Sequence, residues 1–72
     1  MTIQSLLIEN SNRPSIQQEI RDAAIKGAKQ QGFNLILGYD NTPKAGTNDT
    51  YENWGECLEA ALQNVLETVN LD

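Results

Sequence analysis

Apolar positions along the 72-residue chain follow two spacings, and each spacing predicts one type of element. Residues 2–9 contain a short apolar run that ends in turn-forming residues, which favours a strand. A helix stays open for this segment, because the periodicity of so short a run is weak. Residues 33–39 alternate in side-chain character and predict a strand whose main face is formed by Phe33, Leu35, Leu37 and Tyr39.

Two longer segments have the 3.6-residue period of amphipathic helices. Residues 15–31 carry a stripe of mostly small apolar side chains, with Ser15 and Gln18 spaced as a capping box and Gly32 at the C′ position. Residues 50–69 carry a stripe of larger side chains and predict a second helix about 30 Å long. This second helix should contribute most of the core, because burial of each large apolar side chain contributes about 1.5–3 kcal/mol.

The order of these elements predicts the fold. Residues 40–49 contain no large apolar side chain and are expected to form a long exposed loop. The chain is then a single domain over residues 1–72 with β-α-β-α order. Because a strand, a helix and a strand follow one another, we expect a right-handed crossover with parallel strands. The predicted class is α+β or small α/β, with a two-stranded sheet and two helices.

A sheet of two strands leaves both outer edges unpaired and is rarely stable alone. Ile25 and Ile36 lie opposite the predicted buried faces of their elements, where a monomer has no use for them. We therefore expect a homodimer in which a second copy completes the sheet. The alternative is that residues 2–9 form an irregular cover and that the monomer suffices.

Composition excludes several classes of function. The chain has ten acidic and five basic residues, a net charge of -5 and no histidine. Direct nucleic-acid binding needs a basic surface and is disfavoured. The absence of histidine removes the commonest general base and most zinc sites, and a single cysteine excludes an internal disulfide. No membrane span or secretory signal is present, so we expect a cytoplasmic protein that does not bind membranes.

Paired carboxylates, such as Glu52 with Glu56 and Asp40 with Asp49, are the remaining candidates for catalysis or metal binding. They are predicted to be exposed, and neither a nucleophile nor an orienting base accompanies them. The spacings of calcium loops and phosphate-binding loops are also missing. We therefore expect no enzymatic activity, no cofactor and no metal site.

The most distinctive pattern is a column of acidic residues on the second predicted helix. At 100° per residue they fall within about 80° of arc: Glu52, Glu56, Glu59 and Glu67. No basic residue follows Lys44, so nothing on this helix neutralises them. Tyr51 and Trp54, one turn apart, are further candidates for partner contacts.

We interpret this column as a surface that binds a protein partner with a basic surface. A small inhibitor encoded by a phage or mobile element, including one that mimics nucleic acid in a basic groove, has this size and charge. The alternative is a solvated face that only keeps an acidic protein in solution.

A second function class follows from the predicted parallel strands. Their carboxyl ends would bring the loops 9–14 and 38–49 to one edge, where open α/β sheets bind ligands. Polar and charged side chains would then line a rim: Asn10, Asn12, Arg13, Asp40, Asn41 and Lys44. The alternative function is therefore the binding of a small molecule or a nucleotide signal.

Two stretches resemble parts of known families. Residues 8–14 together with residues 23–37 look like the opening βαβ unit of periplasmic sugar-binding proteins and their repressor relatives. The rest of that domain and the second lobe are missing, so the resemblance implies no ligand function. Residues 50–62 are similar to the C-terminal helix of small phage-type proteins.

Overall fold

The computed structural model describes residues 1–38, 40–45 and 54–71, which form three helices and a two-stranded antiparallel sheet. The elements follow in the order α1 (Ile3–Glu9), α2 (Pro14–Gln30), β1 (Leu35–Leu37), β2 (Pro43–Ala45) and α3 (Trp54–Thr68). The protein has a small α+β fold. The predicted β-α-β-α order is wrong, because the first apolar segment is helical. The resemblance to a βαβ unit fails for the same reason.

Residues 2–9 were predicted as a strand, but they form helix α1 and its N-cap. The Thr2 hydroxyl accepts a hydrogen bond from the Ser5 N–H at 3.0 Å, and the Ser5 hydroxyl accepts one from the Thr2 N–H at 2.9 Å. This reciprocal capping box satisfies two donors that a helix start would otherwise leave unpaired. The buried positions have i, i+3, i+4 spacing, which is the pattern of a helix face: Ile3, Leu6 and Leu7.

Helix α2 lies where a helix was predicted over residues 15–31, with each end one residue earlier. The predicted capping box of Ser15 is not formed. Arg13 is the N-cap residue without a side-chain cap bond, and Pro14 occupies the first position of the helix. Proline suits this position, because its fixed φ is helical and the N–H it lacks would have no helical partner.

The end of α2 is set by Gly32, as the sequence predicts. Its φ of 85° lies in the left-handed region that favours glycine. The N–H of Phe33 donates to the Ala28 carbonyl at 3.0 Å, and the N–H of Gly32 donates to the Lys29 carbonyl at 2.9 Å. These two bonds form a Schellman motif, which turns the chain from α2 toward β1.

The strand predicted over residues 33–39 is shortened to β1, and part of the loop predicted over residues 40–49 forms β2. The two strands pair antiparallel with Ile36 opposite Lys44, so the expected parallel crossover is wrong. Strand β2 has no large apolar side chain and begins with a proline, a position that proline tolerates in strands. Hydropathy therefore carries no signal for β2. The remaining parts of these predictions, Tyr39 and residues 46–49, lie outside the described residues.

Helix α3 accounts for most of the helix predicted over residues 50–69, and residues 50–53 lie outside the described part of the chain. Its fully buried positions are Cys57, Ala61 and Val65. Ala61 and Val65 belong to the predicted stripe, and Cys57 was predicted at its margin. Leu66 was predicted on the stripe but is 50% exposed. No helix within residues 1–38, 40–45 and 54–71 is long and apolar enough to cross a lipid bilayer.

Helices α2 and α3 approach each other closely at Gly27. A Cβ atom added there would lie 2.5 Å from the Asn64 Cβ and 2.7 Å from the Ala60 carbonyl oxygen. At the same crossing the Asn64 Nδ2 donates to the Ala23 carbonyl at 2.7 Å. The crossing therefore fixes the spacing of the two helices and the rotation of α3.

Candidate functional site

Three carboxylates of the predicted column lie on the solvent side of α3. Glu56, Glu59 and Glu67 are exposed, and we call them the acidic face. The crossing turns Ala60 and Asn64 toward α2. Around the helix, Glu56 and Glu67 lie within about 40° of Ala60, and Glu59 lies about 100° from it. The three carboxylates therefore border the α2–α3 crossing, and their side chains are exposed.

No basic side chain pairs with the acidic face among residues 1–38, 40–45 and 54–71. The ion pair in this part of the chain joins Lys44 and Asp40 at 3.8 Å on the β1–β2 hairpin. The Gln63 Nε2 donates to Glu67 Oε1 at 3.2 Å. A neutral amide leaves the negative charge of Glu67 in place, and Glu56 and Glu59, three residues apart, repel each other.

A shallow groove runs beside the acidic face, between the end of α2 and α3. One part encloses about 300 Å³ and is lined by Phe33, Glu56 and Glu59. The adjoining part encloses about 170 Å³ and is lined by Gln30, Asn64 and Glu67. Both parts share Gln31, Ala60 and Gln63. Carboxylates and amide oxygens in such walls accept hydrogen bonds, so the groove suits cationic N–H donors.

Trp54, which was predicted to contact the partner, does not lie on the acidic face. Trp54 is half-buried against the core, and it lies about 160° around α3 from Glu56. Its ring therefore stabilises the fold on the side away from the groove. Glu52 and Tyr51 lie outside the described residues.

One half of the predicted ligand rim forms the turn between α1 and α2. Asn10 is buried, and its Nδ2 donates to the Leu6 carbonyl at 2.8 Å. Arg13 donates from Nη1 to Asn10 Oδ1 at 3.3 Å, while Asn12 is exposed. These bonds stabilise the turn itself and leave Asn12 as the freely presented polar side chain of this half.

The other half of the rim lies on the hairpin turn. The Thr42 N–H donates to Asp40 Oδ1 at 3.2 Å. This bond, together with the nearby Lys44 ammonium, lowers the pKa of the Asp40 carboxyl. Asn41 has a φ of 61° and accepts a hydrogen bond from Arg21 of α2.

The structure keeps the two halves of the rim apart. Arg21 lies eight residues beyond Arg13, so the halves attach to α2 about 12 Å apart along its axis. The parallel strands that were expected to bring the two loops together are replaced by α1 and the hairpin. Ligand binding at this rim stays a prediction. The parallel strands that were its geometric basis are not present in the described residues.

Sequence reasoning missed a cleft between α2 and the hairpin. The cleft is open to solvent, has a volume of about 370 Å³ and is lined by Gln18, Arg21, Ile25, Leu37 and Gly38. It depends on the fold of the hairpin back over α2, which the sequence did not predict. The unexplained Ile25 was the signal that pointed to this side of α2.

Comparisons with known proteins found no similar protein. No family model matches the chain, and no curated protein or solved structure is significantly similar to it. Within the described residues, no three side chains of the histidine, cysteine, aspartate and glutamate types cluster as metal ligands.

Proposed function

We propose that this chain is a non-catalytic interaction protein that binds a basic protein surface through the acidic face and the adjoining groove. The observation that carries the proposal is the row of three exposed carboxylates with no basic partner among the described residues. A bound cation would relieve their repulsion and form charge-assisted hydrogen bonds. Arginine suits the site best, because its planar guanidinium can bind a carboxylate through two parallel bonds.

The length of the acidic face limits the shape of the partner. Glu56 and Glu67 are eleven residues apart, which corresponds to about 17 Å along α3. An extended segment of about five residues, at roughly 3.3 Å per residue, covers this distance. More specifically, we propose that the protein is an inhibitor, encoded by a phage or mobile element, that occupies the nucleic-acid-binding groove of its target.

A nona-arginine peptide provides a direct test. In an NMR titration of ¹⁵N-labelled protein, we expect saturable shifts of the backbone amides that line the groove: Gln31, Phe33, Glu56, Glu59 and Gln63. The variant E56Q/E59Q/E67Q should bind this peptide about tenfold more weakly, because exposed ion pairs contribute about 0.2–1 kcal/mol each.

The matched control removes three negative charges elsewhere. The variant E9Q/E19Q/D22N has the same net charge as the first variant, and its Kd should stay within about twofold of the wild-type value, since charges beyond about 8 Å are screened at physiological salt. If this control weakens binding equally, net charge alone attracts the peptide and the proposal is wrong.

We also propose that the protein forms a homodimer through the outer edge of β1. The sheet has two strands of three residues, and Ile36 on β1 is 51% exposed. Within the described residues β1 has a neighbouring strand, β2, on one side and none on the other. Addition of a strand from a second copy would pair the backbone groups of this edge.

Sedimentation equilibrium tests the dimer. We expect a mass twice the 8.0 kDa of one chain, and a shift to the single-chain mass for Ile36→Lys. Ile8→Lys is the control, because it makes the same substitution at a residue that is 57% exposed on α1 and does not belong to β1. A wild-type protein that sediments as a single chain at high micromolar concentration would rule out the dimer.

A further inference from the structure

The cleft between α2 and the hairpin is separate from the acidic face. Its volume of about 370 Å³ lies within the range of small-molecule sites, roughly 300–1,000 Å³. Its lining combines a cation, an amide and two apolar side chains: Arg21, Gln18, Ile25 and Leu37. Such a combination binds an apolar body and fixes its orientation with a few polar groups.

The guanidinium of Arg21 is held in place by the hairpin. Its Nη2 donates to Asn41 Oδ1 at 2.5 Å, and the Asn41 N–H is itself bonded to the Gly38 carbonyl at 3.0 Å. The contact with Asn41 uses one of the five N–H donors of the guanidinium. Because the side chain is already ordered, an incoming anion loses little binding energy to immobilising it.

Apolar and polar groups lie beside this guanidinium. Ile25 is 38% exposed, and Leu37 is half-buried. The Gln18 Nε2 donates to Asp22 Oδ1 at 2.9 Å, so the side-chain carbonyl of Gln18 is the group that can accept from a ligand. A flat ring between Ile25 and Leu37 would cover apolar surface that is now in water.

Carboxylates lie beside the cleft as well as cations. Gln18 of the lining is bonded to Asp22, and Asp40 on the hairpin is paired with Lys44. A bare anion therefore gains little here, and the ring must supply part of the affinity.

We propose that the cleft binds a small anion with a flat, apolar body, of which a nucleoside monophosphate is the test case. Its phosphate meets Arg21, and its base lies between Ile25 and Leu37.

NMR titrations with adenosine monophosphate, adenosine and inorganic phosphate test this site. With the monophosphate we expect saturable shifts of the Ile25, Leu37 and Gly38 amides. Binding should be at least tenfold weaker for adenosine and for inorganic phosphate on the wild-type protein, because each supplies one of the two parts. This comparison needs no variant and does not depend on how substitutions affect folding.

Substitution of Arg21 tests whether the phosphate of the ligand contacts this side chain. Arg21→Gln should weaken binding of the monophosphate about tenfold or more and leave adenosine binding unchanged. Lys26→Gln removes the same charge from an exposed residue of α2 that does not line the cleft, and it should change both by less than twofold. The proposal is overturned if no saturable shifts occur, if inorganic phosphate binds as tightly as the monophosphate, or if both variants lose affinity equally.

Discussion

Leu7→Ala is expected to lower the free energy of unfolding by about 2–5 kcal/mol. The Leu7 side chain is 0% exposed and belongs to the core formed with α2 and α3. Its removal leaves a cavity that the surrounding helices fill only in part. A chain of 72 residues has a total stability of roughly 4–11 kcal/mol, so the loss is a large fraction of the whole. Urea denaturation followed by circular dichroism measures it.

The neighbouring residue provides the control. Ile8 has a similar volume but is 57% exposed, and Ile8→Ala should change stability by no more than about 0.5 kcal/mol. The contrast between adjacent residues tests the rotation of α1 as well as its burial. Equal effects at both positions would contradict the packing of α1 described above.

Gly27→Ala is expected to destabilise the protein by up to about 2 kcal/mol, although alanine is the better helix former by about 1 kcal/mol. The new Cβ would lie 2.5 Å from the Asn64 Cβ and 2.7 Å from the Ala60 carbonyl oxygen. One of these atoms is backbone, so a side-chain rotation cannot relieve the contact. The helices must move apart, and overpacking of this kind costs about 1–3 kcal/mol. Thermal and urea unfolding both report the change.

Gly55→Ala makes the same substitution on α3, where a Cβ meets no atom of residues 1–38, 40–45 and 54–71 within 4 Å. It should stabilise the protein by up to about 1 kcal/mol through helix propensity alone. Gly55 is the second residue of α3, so its propensity gain is smaller than that of Gly27 in the interior of α2. A destabilising Gly27→Ala beside a neutral or stabilising Gly55→Ala therefore identifies the steric cost at the crossing. A stabilising Gly27→Ala would show that α2 and α3 are not in close contact at this point.

The two long helices follow from the sequence, since each repeats its apolar spacing over several turns. Residues 2–9 could not be assigned in this way, because Leu6 and Leu7 satisfy the requirements of a strand and a helix equally well in so short a run. The decisive signal was local: Thr2 and Ser5 have the three-residue spacing of a capping box. Strand β2 left no such signal, because its pairing with β1 is a tertiary contact.

In the candidate site too, features within one helix could be predicted from the sequence, and features that need two elements could not. The acidic column could be predicted from angular spacing alone, because it belongs to a single helix. The same arithmetic, with the buried stripe as reference, indicates that Trp54 faces away from Glu56. The groove could not be predicted, since it requires Gln31, at the C-cap of α2, to lie beside Gln63 of α3. That placement depends on Gly27, whose role is visible only once both helices are in position.

The close approach of α2 and α3 has a consequence for substitutions in the groove. The atoms that set the distance between the helices at Gly27 and Ala60 also line the groove beside the carboxylates. A larger side chain at either position would change the width of the groove and the thermodynamic stability at the same time. Substitutions of the exposed polar residues that line the groove would therefore change the proposed binding surface alone, whereas substitutions at Gly27 or Ala60 would also affect folding.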